Sequence, residues 1–224
     1  MIYSKTCKSI LPVVLAIFCV GFFVEGKGYS VPGLSPYFMA AEKLEDGVFQ
    51  KILRASNFLK FKKEEGARNQ VVRVLKKYKT GLAPEFRGQL AHLIVRESKK
   101  YDYDPFLLTA LIITESSFNN WARSQKGALG LMQIRPQTAV ALAKETRREW
   151  KGKPTLFDPG VNIALGAYYL DKLIKRFGNL DLALEAYNHG PTKLSRYLRK
   201  GKKPTKYSSR VISQYEMIRP QPIV

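Results

Sequence analysis

Two Asp-Pro pairs, Asp104-Pro105 and Asp158-Pro159, each stand directly before an apolar run with helical spacing. An aspartate followed by proline is a helix start: the carboxylate caps a free N–H, and proline has no N–H to leave unpaired. After the first pair, Leu108, Leu111 and Ile112 lie on the same face as Glu115, in an amphipathic helix read over residues 105–118. After the second, Ile163, Ala167, Leu170, Ile174 and Phe177 form one stripe that ends at Gly178-Asn179. Phe86, Leu90, Leu93 and Ile94 mark another helix ending near Tyr101, and three shorter helices are expected over residues 180–187, 191–198 and 208–218. Upstream, Val48, Phe49, Ile52 and Leu53 form one helical patch, and Val71, Val74, Leu75 and Tyr78 a second. The strongly charged residues 60–68 between them read as solvated. Alternating strand patterns are nearly absent, and no internal repeat is visible. The chain therefore reads as mostly α, with a main domain over 84–219, an accessory helical region over 27–83, and a tail over 220–224.

The first residues carry a different signal. Lys5 and Lys8 precede an apolar stretch over residues 10–24, followed by Glu25-Gly26-Lys27. No polar face interrupts that stretch, and it is shorter than the about 20 residues of a transmembrane helix. The layout is that of an export signal, or a short membrane anchor, over residues 1–26. Val24-x-Gly26 is a weaker cleavage site than Ala-x-Ala, so removal and retention both stay open. Both cysteines, Cys7 and Cys19, lie here, so an exported body has neither a disulfide nor thiolate chemistry. His92 and His189 are the only histidines, which leaves little material for a His-based metal site or a Ser-His triad. No metal or cofactor is expected.

The charge balance, 38 Lys+Arg against 18 Asp+Glu for a net +20, favours polyanionic surroundings. From Lys193 to Arg210 there are eight Lys/Arg and no acid, with Tyr197 and Tyr207 interleaved. That stretch is either a solvated basic surface or a contact with an anionic wall or membrane. Basic and aromatic residues together also suit nucleic acid, the least expected partner of an exported chain.

Three pieces carry chemistry. A carboxylate on an apolar face is costly unless neutral or partnered, so the pKa of Glu115 should rise toward the range of a general acid. By itself Glu115 also reads as a structural acid paired with an arginine or a helix end. The run Gly127-Ala-Leu-Gly-Leu-Met-Gln-Ile134 has two glycines three apart, which suit a tight turn or close approach to a ligand. Gln133, between Met132 and Ile134, is placed to hydrogen-bond something buried, such as a sugar. Asn188-His189-Gly190 reads as a helix C-cap or as part of the same site, with Tyr187 beside it. His189 reads as a loop residue and His92 as structural. Together the three pieces point to an enzyme that cuts glycan strands, where the leaving oxygen is protonated and a cation-like sugar carbon stabilised. Ordinary glycosidases use two carboxylates about 5 to 10 Å apart. Here the motifs offer one, since Glu145, Glu149 and Asp158 sit in a polar connecting region.

Glu115-Ser116-x-Phe118, Ala122-x-Ser124-x-x-Gly127-Ala128-x-Gly130-Leu131-Met132-Gln133 and Pro136-x-Thr138-Ala139 together resemble the catalytic domain of soluble-type (family 1) lytic transglycosylases. Asn162-Ile163-x-Leu165-Gly166 and Ala183-Leu184-x-Ala186-Tyr187-Asn188-x-Gly190-Pro191 match later motifs in order, so the resemblance spans about residues 86 to 218. It implies a lysozyme-like (goose-type) α domain and cleavage of the β-1,4 bond between N-acetylmuramic acid and N-acetylglucosamine in peptidoglycan glycan strands. By that resemblance Glu115 is the sole acid and base, Tyr187 hydrogen-bonds and orients it, and Met132, Gln133 and Asn188 line the sugar groove. Ser116, Ser124 and Asn162 match further substrate-site positions, with binding or positioning roles. His189 departs from the pattern, which usually has a small residue there. A goose-lysozyme-like hydrolase and a non-catalytic wall-binding module are the alternatives on the same fold.

Overall fold

The computed structural model describes residues 46–220, with side-chain surroundings from residue 50 onward. The export signal or anchor expected over residues 1–26 lies outside the described residues. Eight α-helices follow one another: α1 (Asp46–Leu75), α2 (Phe86–Lys100), α3 (Pro105–Ser116), α4 (Pro136–Glu145), α5 (Pro159–Phe177), α6 (Leu180–His189), α7 (Pro191–Arg199) and α8 (Lys206–Ile218). A 3-10 turn, Lys153–Phe157, separates α4 from α5. Among the described residues there is no strand, only isolated bridges from Leu129 to Arg123 and to Ile134. No described helix is long and apolar enough to cross a membrane.

Two compact units divide the chain, Met1–Lys62 and Lys63–Val224. In the first, helical residues 50–62 are all exposed. The two helices expected on either side of the charged segment are one continuous α1, because lysine and glutamate are good helix formers and no proline interrupts them. The second unit starts ahead of the boundary expected at residue 84. Val71 and Leu75 are fully buried and belong to the same core as α2, α3 and α5.

Both Asp-Pro pairs open helices as read. Asp104 accepts the Phe106 N–H at 2.8 Å and Asp158 the Val161 N–H at 2.9 Å. Helix α4 and the 3-10 turn occupy the stretch read as a polar connection. Only Ala139, Leu142 and Ala143 are buried in α4, a stripe too small to stand out in the sequence.

Helix α3 differs most from expectation. It is not amphipathic: every residue from Phe106 to Ile113 is buried, with α2 and α8 packed along it. Each buried Leu or Ile there contributes about 1.5–3 kcal/mol of hydrophobic stabilisation. Glu115 escapes complete burial only because it lies in the last turn. The chain then turns sharply through Ser117 (φ 49°) and Phe118 (φ 63°), with the Ser117 N–H donating to the Ile113 carbonyl at 2.9 Å. A left-handed phenylalanine is costly. Full burial of Phe118 and its edge-on contact with Tyr78, 5.4 Å between rings, hold it there.

Candidate active site

The loop between α3 and α4 is fastened from three helices. Ser124 closes its first turn: its Oγ accepts the Ala128 N–H at 3.0 Å, and its own N–H donates to the Ala128 carbonyl at 3.0 Å. Gly130 has φ 76°, and a Cβ there would strike the Leu156 carbonyl and the Asn162 amide, so only glycine fits. From α3, the Ser116 hydroxyl donates to the Leu131 carbonyl at 2.7 Å. From α5, Asn162 accepts the Met132 N–H at 2.8 Å and donates to the carbonyls of Leu129 and Leu156 at 3.0 and 2.8 Å. From α6, the Tyr187 hydroxyl donates to the Met132 carbonyl at 2.9 Å.

These contacts give several of the expected site residues backbone partners within the chain. Asn162 is wholly buried with its amide engaged by backbone, so it holds the loop. The Met132 side chain is fully buried against Gly166, where any Cβ would overlap it. Ser116 and Ser124 likewise fasten backbone. Gln133, at φ 47°, donates through Nε2 to the carbonyls of Gly130 and Ala122 at 2.9 and 3.2 Å. Its Oε1 makes no hydrogen bond among the described residues. Asn188 is exposed at the end of α6. His92 is exposed, whereas His189 is partly buried with its ring 5.5 Å from that of Tyr197.

The expected hydrogen bond from Tyr187 to Glu115 is absent. Tyr207, in the first turn of α8, donates its hydroxyl to Glu115 Oε1 instead. Tyr187 stays near enough for the Glu115 charge to add to the burial that raises its own pKa. Burial pushes Glu115 up from 4.5 to about 7, against the Tyr207 hydrogen bond and the Arg210 charge, which both pull it down. The Tyr207 phenol is raised far above its ordinary value, first by burial and then by Glu115, so it remains a donor. Arg210 lies one turn further along α8, its guanidinium 5.9 Å from the Tyr207 ring centre and 3.4 Å from the Thr114 carbonyl. The rise expected for Glu115 from its apolar face is what the structure produces. A carboxyl near pKa 7 can both give and take a proton at neutral pH.

The sequence reading missed Tyr207 and Arg210 as site residues because they sit in the basic, aromatic stretch and read as surface. One signal was available: Tyr207 and Val211 are four apart on the buried face of α8. Among the described residues, no group of three or more His, Cys, Asp or Glu side chains is placed to hold a metal ion. A concavity beside the 3-10 turn, lined by Arg148, Glu149, Lys151 and Asp158 among others, holds neither Glu115 nor Tyr207.

Known proteins resemble this chain in sequence and in fold. The family model of the Transglycosylase SLT domain matches residues 92–209. Membrane-bound lytic murein transglycosylase E of Buchnera aphidicola subsp. Acyrthosiphon pisum (strain APS) is 39% identical over 88 residues, covering 38% of this chain and 39% of that protein. The X-ray structure of an inactive glutamate-to-glutamine mutant of lytic transglycosylase Slt from Pseudomonas aeruginosa superposes with a TM-score of 0.51 at 32% identity. That match covers 59% of this chain and 25% of the other. The chain thus spans well under half the length of either relative, and the likeness bears out the mostly α, lysozyme-like fold. Since the family pattern runs through more than half of its residues, the chain belongs to the Transglycosylase SLT domain family.

Proposed function

We propose that this chain is a peptidoglycan lytic transglycosylase. It cleaves the β-1,4 bond between N-acetylmuramic acid and N-acetylglucosamine and leaves a 1,6-anhydromuramic acid end. The observation that carries the reading is Glu115 itself, a carboxyl raised to about 7 by burial and contacted by the Tyr207 phenol. The relatives support the substrate class, since both are named lytic transglycosylases. A glutamate-to-glutamine change marks the inactive form of the Pseudomonas aeruginosa protein.

One carboxyl is enough if the substrate supplies the rest. Tyr207 occupies Oε1 of Glu115, which leaves Oε2 to carry the proton. That proton passes to the glycosidic oxygen as the bond from it to the muramyl C1 breaks, and the 2-acetamido oxygen stabilises C1. The muramyl 6-hydroxyl then bonds to C1 and gives its proton to Glu115, closing the 1,6-anhydro ring and restoring the acid. No water is consumed. This route needs Glu115 alone, whereas the two-carboxylate schemes need a partner about 5 to 10 Å away. The free Gln133 Oε1 and exposed Asn188 are the candidates for sugar contact. Tyr187 positions the loop through Met132, together with Ser116, Ser124 and Asn162.

The export signal or anchor expected over residues 1–26 would bring the chain to the cell envelope. The basic side chains from Lys193 to Lys206 are exposed and would there face an anionic wall or membrane.

The test is digestion of purified peptidoglycan, with released muropeptides weighed by mass spectrometry. Products one water lighter than those of lysozyme, without reducing ends, are expected. Reducing ends would make the chain a hydrolase. No release by folded protein would favour a wall-binding module. Glu115→Gln should abolish nearly all activity while keeping the fold, because the amide has the shape but cannot transfer the proton.

A further inference from the structure

A second buried acid, Glu185 in α6, has no part in the scheme above. It is wholly buried, and its Oε1 accepts two hydrogen bonds, from the backbone N–H groups of Tyr207 and Ser208, both at 2.8 Å. These are free donors of the first turn of α8. The residue before that helix, Thr205, makes no side-chain cap, so Glu185 does the capping from another helix. Its other oxygen, Oε2, has no hydrogen-bond partner and lies 3.4 Å from His189 Nε2, one turn along α6. His189 is in turn held edge-on by Tyr197 of α7.

We propose that Glu185 is the positioning residue of the acid–base pair: by gripping the backbone of Tyr207 it sets how the Tyr207 hydroxyl meets Glu115. The same residue whose N–H is gripped carries the phenol that touches Glu115, so no longer chain of contacts is needed. His189 Nε2 faces the free oxygen of Glu185 from one turn along the same helix. This inference rests on Glu115 being the catalytic acid. The groups facing Glu115 are Tyr207 and Arg210 of α8, with Tyr187 of α6 within electrostatic reach. Those facing Glu185 are the two α8 amides and His189.

The test is the titration of the Glu115 carboxyl, followed by carbon NMR on the full chain in wild type and variants. Tyr207→Phe removes a hydrogen bond that lowers the Glu115 pKa, so its titration should move to higher pH. Glu185→Ala should move it in the same direction by a similar amount, and the double variant should move it no further. Glu185→Asp, one methylene too short to reach the amides, should behave like Glu185→Ala and takes its place if the alanine variant does not fold. Glu185→Gln keeps an acceptor oxygen and should return the titration toward wild type. A merely structural Glu185 would lower the melting temperature and leave the titration in place. An unmoved titration in a folded Glu185→Ala or Glu185→Asp variant, with Tyr207→Phe shifted, overturns the proposal, as does an unmoved titration in Tyr207→Phe. The readout needs no substrate. If the variants shift as described but the wild-type protein releases no muropeptides, the assigned activity fails while the coupling from Glu185 through Tyr207 to Glu115 stands.

Discussion

A buried acid that must be protonated to work should also make the fold sensitive to pH. In the folded chain Glu115 titrates near 7, against an ordinary value of 4.5. Between those values the folded state holds a proton there that the unfolded state has released, so stability falls as pH rises through this window. The fall is complete above about pH 7. A difference of about 2.5 units, at about 1.4 kcal/mol per unit, puts the whole loss at about 3.5 kcal/mol, of which about 3 falls between pH 4.5 and 8. Glu115→Gln cannot ionise and keeps an oxygen to accept from Tyr207, so it should escape this loss. Urea unfolding of both proteins at pH 4.5, 6 and 8 reads the effect directly. The variant should gain on wild type by up to about 3 kcal/mol between the lowest and highest pH. In a chain of this size that corresponds to a melting-temperature difference on the order of 10 °C. A difference that stays constant with pH would refute the raised pKa and the acid role derived from it.

Arg210→Met removes a charge that holds Glu115 down, so the alkaline limb of kcat/KM should move to higher pH; a limb that stays or moves down would contradict the contact. Asn162→Ala leaves the Met132 N–H and the Leu129 and Leu156 carbonyls without this partner. At about 1–3 kcal/mol per buried unpaired group it should cost several kcal/mol in thermal unfolding, with activity falling alongside. Tyr187→Phe should cost about 1–3 kcal/mol of stability by stranding the Met132 carbonyl, and less activity than Glu115→Gln.

The helices were legible because their signals are local. Asp104-Pro105, Asp158-Pro159 and Gly178 act within one turn of where they stand, and the i, i+4 stripe of α5 is visible without any partner. Where burial came from every side the pattern vanished: α3 has no polar face, and its amphipathic reading rested on residues around Glu115 alone. Helix α4 was missed for the opposite reason, since it buries only three small or aliphatic side chains. The charged middle of α1 read as a break because solvation was taken for lack of structure, although its lysines and glutamates favour helix.

At the site, the sequence by itself put Glu115 on an apolar helix face and led to the expectation of a raised pKa, because both follow from neighbours within a few positions. It could not say what touches that glutamate. Tyr187 and Tyr207 are both tyrosines far along the chain, and hydrogen-bond partners about 90 residues apart are chosen by how helices pack. Tertiary structure gave Tyr187 to the Met132 carbonyl and Tyr207 to Glu115, and it buried Asn162 and the Met132 side chain completely. It also placed Glu185, the position the motif around Tyr187 leaves unspecified, under the first turn of α8. A hydrogen bond has a reach of about 3 Å, and only the packed chain brings these groups within it.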